Sequence, residues 1–257
     1  MIVKTNRELK KLYHKLGPDD IFIGTITSKH MKQSMLVDLI ERGIHCFPSP
    51  LSQILNGSKT AQVLALQKWM LPHTFVITRR VDLVDVINQY DQYGIGPVVT
   101  KEDKMHCGHG VRKWDTTESL YSVMALSKSS YPFVMQPFLE NFTDVRVIIV
   151  GGCIKAYMRH NPYNFRMNIS SGGKSYPFNL DSNKKKLCRD IMERGKFPYA
   201  HIDFQITESE KCYLSEIALN GGIKGADISR RELDQKKEEL LECLAEDIQQ
   251  IEAGGQN

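Results

Sequence analysis

The chain has 257 residues, 41% of them hydrophobic and 25% charged, a balance that supplies a globular core and length for one large domain or two smaller ones. Lys and Arg exceed Asp and Glu by four, too mild an excess to argue for nucleic acid but suited to anionic substrates. Six scattered cysteines (Cys46, Cys107, Cys153, Cys188, Cys212 and Cys243) show no Cys-x-x-Cys spacing. That excludes a disulfide framework or zinc site and predicts a reducing, cytoplasmic setting. No apolar run approaches the roughly 18 residues of a membrane span, so neither signal peptide nor membrane helix is expected.

In chain order, Thr5-Asn6-Arg7-Glu8 is a capping box. It opens an amphipathic helix with Leu9, Leu12 and Leu16 on one face, closed by Gly17-Pro18. Ile21-Phe22-Ile23-Gly24 reads as a short buried strand. Met35, Leu36, Leu39 and Ile40 stripe a helix stopped by Gly43, and Ile44-His45-Cys46-Phe47 is a second strand. Strand, helix, strand predicts a small α/β unit with a parallel pair joined by a crossover. Pro48-Ser49-Pro50 breaks it, and a domain boundary is expected near Asn56-Gly57. Ser58-Lys59 starts a helix with Val63, Leu66 and Met70 inward, ended by Pro72. A strand over 74–78, a short helix with Leu83, Val86 and Ile87, and a strand over 97–101 follow. A glycine-bearing loop runs over 105–111, then a helix over 117–128 and a strand over 133–136.

The second half opens with a hairpin around Gly151-Gly152. A polar loop carries Arg159, Asn161, Arg166, Asn168, Ser170, Ser171, Gly172, Gly173 and Lys174. Asp181 or Ser182 caps a basic helix ending at Gly195, and Leu233, Leu240, Leu241, Leu244 and Ile248 stripe a closing helix. Between these helices, residues 200–225 read as two adjacent strands, each with an acid in its middle. His201, Asp203 and Gln205 alternate with Ile202, Phe204 and Ile206, and Glu216 lies between Ser215 and Ile217. Pairing would bring Asp203 and Glu216 together, where two carboxylates repel unless a cation sits between them. Mg²⁺ carried with a polyphosphate is one such cation; an edge hairpin with solvated acids is the alternative.

Other groups point the same way. Lys101 ends an apolar strand just before Gly108-His109-Gly110, an arrangement suited to cradling phosphate, or else a plain glycine turn beside a solvated lysine. Its spacing is neither a Walker loop nor a dinucleotide fingerprint. Arg159, Arg166 and Lys174, with two Asn and two Ser, supply donors without acids, which suits a phosphate or substrate carboxylate; a floppy basic surface loop is the alternative. His106, Cys107, His109 and His160 match no zinc pattern, and no general base is identifiable beside Cys107.

The order of these pieces resembles the ATP-grasp superfamily, most closely its branch of ribosomal-protein glutamate ligases and prokaryotic glutathione synthetase relatives. The resemblance runs from about Asn56 to Ile228. Asn56-Gly57-Ser58-Lys59 with Pro72 is similar to the branch's entry motif. Pro97-Val98-Val99-Thr100-Lys101 followed by Gly108-His109-Gly110-Val111 resembles its strand and mobile phosphate loop. Val134-Met135-Gln136-Pro137-Phe138-Leu139-Glu140 resembles the hinge that reads adenine. Asp144-Val145-Arg146, and Phe165-Arg166-Met167-Asn168 with Gly172-Gly173, resemble two further signatures. Asp203 and Glu216 fall on the two metal carboxylates.

The resemblance implies an α+β ATP-grasp fold: a small α/β domain over 1–56, then an ATP-grasp domain over 57–257 whose subdomains divide near 138. It implies a carboxylate–amine ligase using ATP and Mg²⁺ through an acylphosphate; a small-molecule kinase and a non-catalytic ATP-binding protein are the alternatives. Arg146, Arg159 and Arg166 would orient the acyl group. Lys59, Lys101, Gly108, His109, Gly110, Val111, Gln136, Pro137, Phe138 and Asn168 would bind nucleotide, and Asp203, Glu216 and Asn220 metal. The expected partners are small-molecule or peptide carboxylate and amine substrates, with no nucleic acid and no membrane, and homo-oligomer formation is left open. Three features depart from the branch: Ala218 stands where Asn is usual, Glu102 follows Lys101 in place of proline, and the N-terminal domain is short.

Overall fold

The computed structural model describes residues 1–28, 30–105, 108–124 and 131–254. Strands β1 (Ile2–Val3), β2 (Ile21–Ile23) and β3 (His45–Phe47) form a parallel sheet in that order, with helices α1 (Asn6–Leu12) and α2 (Lys32–Glu41) in the connections. Thr5 caps α1 by accepting from the Glu8 N–H, while the Glu8 carboxylate reaches back to the Lys4 N–H at 3.3 Å. Val3, Leu9, Phe22, Leu36 and Leu39 make this unit's own core.

Helix α3 (Pro50–Leu55) occupies the stretch expected to be a break. Ser49 caps it and Pro50 takes its first turn, where a missing N–H costs nothing because no acceptor awaits it. Helix α4 (Lys59–Leu66) follows, capped by Ser58.

The next stretch supplies β4 (Phe75–Ile77), α5 (Arg80–Gln92), β5 (Val98–Glu102), β6 (Val111–Trp114), α6 (Thr117–Met124) and β7 (Phe133–Pro137). Its antiparallel sheet runs β4-β7-β5-β6, over a core of Ile77, Leu83, Tyr90, Leu120 and Phe133. Helix α5 is longer than expected at 13 residues. The last residues of the helix expected over 117–128 lie outside the described residues. Strand β6 makes the glycine loop the tip of a β5–β6 hairpin, with Lys101 paired to Val111 and the Glu102 N–H donating to the Gly110 carbonyl at 2.9 Å.

The remaining elements are β8 (Phe142–Val150), β9 (Cys153–His160), β10 (Lys174–Pro177), α7 (Ser182–Gly195), β11 (Tyr199–Thr207), β12 (Cys212–Ala218) and α8 (Arg230–Gly254). The strands form one antiparallel sheet in the order β10-β9-β8-β11-β12. Asp181 is the cap of α7. Ile202, Phe204 and Ile206 of β11 lie in the main core, with Cys188 and Ile191 of α7 and Leu233 and Leu241 of α8. Each such apolar side chain contributes about 1.5–3 kcal/mol on burial, which holds the strand in register while its other face carries polar groups.

Candidate active site

Strand alternation leaves one face of the five-stranded sheet for chemistry, and register arranges that face in rows. Tyr157, Arg146, Asp203 and Glu216 stand side by side across β9, β8, β11 and β12. Arg159, Asp144 and Gln205 form the row on one side, and Ile148, His201 and Ala218 the row on the other. The pairing slips between Asp203 and Phe204, so Ser215 is the extra residue of a bulge in β12. Bulges re-aim side chains. Here the Ser215 carbonyl and hydroxyl both face Lys101 Nζ at 3.3 Å, across the gap from the four-stranded sheet.

A cleft with a cavity volume of about 110 Å³ lies between these two sheets. Lys59, Lys101, Gly108, Val111, Gln136 and Phe138 line it. So do Arg159, Arg166, Asn168, Asp203 and Glu216. A second chamber opens beside it, sharing Gly108, Arg159, Asn168, Asp203 and Glu216 and adding Arg146, Tyr157, His201, Asn220 and Lys224. Arg146 and Asn220 therefore face the second chamber. His109 is exposed, Gly110 turns the loop at φ +74°, and Pro137 ends β7; none of the three lines either space. His106 and Cys107 lie outside the described residues.

The electrostatics are uneven. Arg146 grips Asp203 with two prongs, Nε to Oδ1 and Nη2 to Oδ2, both at 2.6 Å. Arg159 Nη2 reaches the same Oδ2 at 3.0 Å while its Nε donates to Asp144. Burial alone would raise the Asp203 pKa, but the two guanidinium groups outweigh it and hold that carboxyl well below the usual range. For Asp144, burial and the neighbouring Asp203 charge prevail over Arg159 and push its pKa up. Lys101 is pushed down to about 8 by burial, against the attraction of Glu216 and Asp203. The Glu216 side chain makes no hydrogen bond or ion pair among the described residues.

Arg159 corrects the expected loop. It sits in β9, buried between two acids, and is not a solvated donor. Arg166 does belong to the polar loop: it donates to the Val111 carbonyl at the end of the glycine loop and its guanidinium lies 4.4 Å from the centre of the Phe165 ring. Asn161 fixes that loop by donating to the carbonyls of Arg166 and Ser171. The Lys59 ammonium donates to the Met105 carbonyl, and Asp103 accepts from Ser58 and the Thr60 N–H, tying the glycine loop to the start of α4. Asn220 Oδ1 accepts from the buried Lys237 of α8 at 2.7 Å. Asp144, Ser215 and Lys237 were not among the expected site residues; the alternation of Asp144, Arg146 and Ile148 along β8 was the available signal for the first.

A hard divalent cation fits this donor set. Asp203 and Glu216 are register partners facing one cleft, no group of three or more His, Cys, Asp or Glu competes among the described residues, and phosphate and water ordinarily complete such a shell. A family model of the RimK-like ATP-grasp domain matches residues 55–241. The chain belongs to that family. Among curated RimK-like relatives, the coenzyme gamma-F420-2:alpha-L-glutamate ligase of Methanococcus maripaludis is 26% identical over 211 residues, 78% of this chain and 70% of that protein. The alpha-aminoadipate–LysW ligase LysX of Saccharolobus solfataricus is 25% identical over 183 residues, 68% of this chain and 65% of that protein. The D-alanine–D-alanine ligase from Coxiella burnetii superposes with a TM-score of 0.62 at 12% identity, covering 92% of this chain and 72% of that one. The D-alanyl-alanine synthetase A from Vibrio cholerae gives 0.57 at 16% identity, over 86% and 77%. The solved structures establish the α+β ATP-grasp fold. As a RimK-like ATP-grasp protein, the chain is an ATP-dependent carboxylate–amine ligase that forms ADP. No helix among the described residues is long and apolar enough to cross a membrane.

Proposed function

We propose that this ligase activates its acid as an acylphosphate at the junction of the two spaces, with ATP in the cleft and the acid and amine in the second chamber. The observation that carries this reading is the row placing Asp203 across from Glu216, on the wall common to both spaces. Mg²⁺ held by Asp203 and Glu216 would screen the charge of the phosphates.

The chain's own residues do the rest. Lys59 and Lys101 neutralise phosphate charge, Gln136 and Phe138 seat the base, and the loop through Gly108, His109, Gly110 and Val111 closes over the phosphates to exclude water. The acid's oxygen attacks the γ-phosphorus, and ADP departs with the electron pair of the broken bond. The amine nitrogen then attacks the acyl carbon; the C–N bond forms, phosphate leaves with the C–O pair, and the nitrogen gives up a proton. Arg146, Arg159 and Arg166 orient the acyl group and stabilise the charge that develops. Asn168 bridges the two spaces. Asn220, held by Lys237, is a weaker metal candidate than the two acids because its oxygen is already engaged.

The same reading makes residues 1–56 a substrate-side unit, 57–257 the nucleotide grip, and the cytoplasm the setting. Calorimetric titration of ATP with and without Mg²⁺ tests the site. A screen of acid–amine pairs for coupled ADP and phosphate release tests the reaction, starting with L-glutamate, the amino acid in the methanococcal relative's name. Mg²⁺-independent ATP binding, or ADP released with a phosphorylated product and no free phosphate, would rule the reading out.

A further inference from the structure

Asp203 has two arginine partners, and they are not equivalent. Arg159 is shared: it also donates to Asp144, and only 4% of its side chain is exposed. Among the described residues Arg146 pairs with no second carboxylate. Its remaining Nη1 makes a long contact, 3.4 Å to the Gly222 carbonyl, the neighbouring Tyr157 hydroxyl also interacts with its guanidinium, and its side chain is 18% exposed, facing the second chamber. Across the row, Glu216 has no counter-ion in contact among the described residues.

We propose that Arg146 is a stand-in cation: it neutralises Asp203 until nucleotide brings a divalent metal, then releases it and turns into the second chamber to receive the substrate carboxylate. The inference rests on the reading of Asp203 as a metal ligand. A dication between Asp203 and Glu216 repels guanidinium groups on the same carboxylate. Arg159 withstands this because Asp144 still balances it. Arg146 loses its ion pair with Asp203, and the space open to it is the chamber it already lines. A freed guanidinium there matches a carboxylate with two parallel hydrogen bonds. Binding is then ordered: the acid's receptor is completed only after metal and nucleotide are in place.

Mn²⁺ titrated into the nucleotide-free, full-length protein and followed by electron paramagnetic resonance tests this without any substrate. Arg146→Gln unmasks Asp203 and is expected to tighten Mn²⁺ binding about ten-fold over wild type, a change of about 1.4 kcal/mol. In an Asp203→Asn background the same substitution is expected to do nothing, whereas a general field effect of removing a positive charge would persist there. Arg146→Lys covers the case in which Arg146→Gln does not fold. Its ammonium reaches one oxygen of Asp203 and frees the other, and it is expected to shift Mn²⁺ binding in the same direction. Two failures are separable. If Asp203→Asn leaves Mn²⁺ affinity unchanged with ATP present, Asp203 is not a ligand and the functional reading falls. If Asp203→Asn weakens that binding but neither Arg146 variant alters Mn²⁺ affinity, Arg146 is an ordinary structural partner and this inference is overturned.

Discussion

Asp203 and Glu216 stand opposite each other on neighbouring strands, yet Asp203 accepts two hydrogen bonds from Arg146 and pairs with Arg159, while the Glu216 carboxylate has no such partner among the described residues. One carboxylate belongs to the fold as well as to the site; the other is held only by its backbone. Equal substitutions at the two positions should therefore have unequal effects.

Asp203→Asn is expected to cost about 3–5 kcal/mol of stability, the range for breaking one side of a buried pair, and to weaken Mg·ATP as well. Glu216→Gln should stay within about 0.5 kcal/mol of wild type in urea unfolding while also weakening Mg·ATP in calorimetry. The pH dependence follows from the lowered Asp203 pKa. Stability from this group is present above the unfolded value of about 3.9 and is lost as pH falls through the lower folded value. Acid unfolding of Asp203→Asn should lack that component.

For Lys101 the slope has the same sign, but the lowered pKa marks a cost of burial and the window lies at alkaline pH. Burial holds its pKa near about 8, whereas an unfolded lysine keeps its proton to about 10.4. Between those values the unfolded chain binds more protons, so this group makes stability rise with pH. Polyphosphate favours the ammonium form, so ATP binding should take up a proton near that pH, and affinity should decline as pH rises past about 8. Calorimetry in two buffers of different ionisation enthalpy measures the uptake. Lys101→Met should weaken ATP with or without Mg²⁺ and flatten the pH profile.

The alternation of β11 and β12 was legible because a period of two is a local property, and with the two strands paired it was enough to expect Asp203 near Glu216; the bulge at Ser215 was not legible. Arg159 was not legible. Its strand ends in Met158-Arg159-His160, followed by Asn161, a stretch that reads as polar loop, and its partners Asp144 and Asp203 are remote in sequence. Strands β6 and β10 are missing from the sequence reading for a related reason. Both are edge strands with charged or exposed residues such as Arg112, Lys113 and Lys174, and edges carry no buried stripe. Helix α3 was hidden by Pro50, which breaks a helix from inside but begins one from its first turn.

Gly108 and Gly151 separate backbone strain from site geometry. Both have positive φ, +75° and +53°, so alanine at either position is strained by about 1–2 kcal/mol. A Cβ at Gly108 would also lie 2.6 Å from Asn168 Nδ2, whereas one at Gly151 meets nothing within 4 Å. Gly108→Ala should raise the ATP dissociation constant about ten-fold, and Gly151→Ala should leave it unchanged, with thermal melting showing comparable losses for both.

Lys237 links the closing helix to the site. Its ammonium donates to the Leu219 carbonyl at 3.0 Å and to Asn220 at 2.7 Å, just past the end of β12. Lys237→Met leaves that buried carbonyl unpaired, at a cost of about 1–3 kcal/mol. Hydrogen exchange should quicken around residues 219–225 and remain unchanged in the β5–β6 hairpin.

The row from Tyr157 to Glu216 is fixed by counting residues along four strands. A one-residue insertion or deletion between Phe142 and Arg146 would set Val145 or Val147 beside Asp203 and aim Arg146 into the packed core. Side chains in the row can be exchanged by degrees, but the spacing of β8 is all or nothing. Length variation among functional versions of this chain should be confined to segments outside the ladder, such as the loop between β9 and β10.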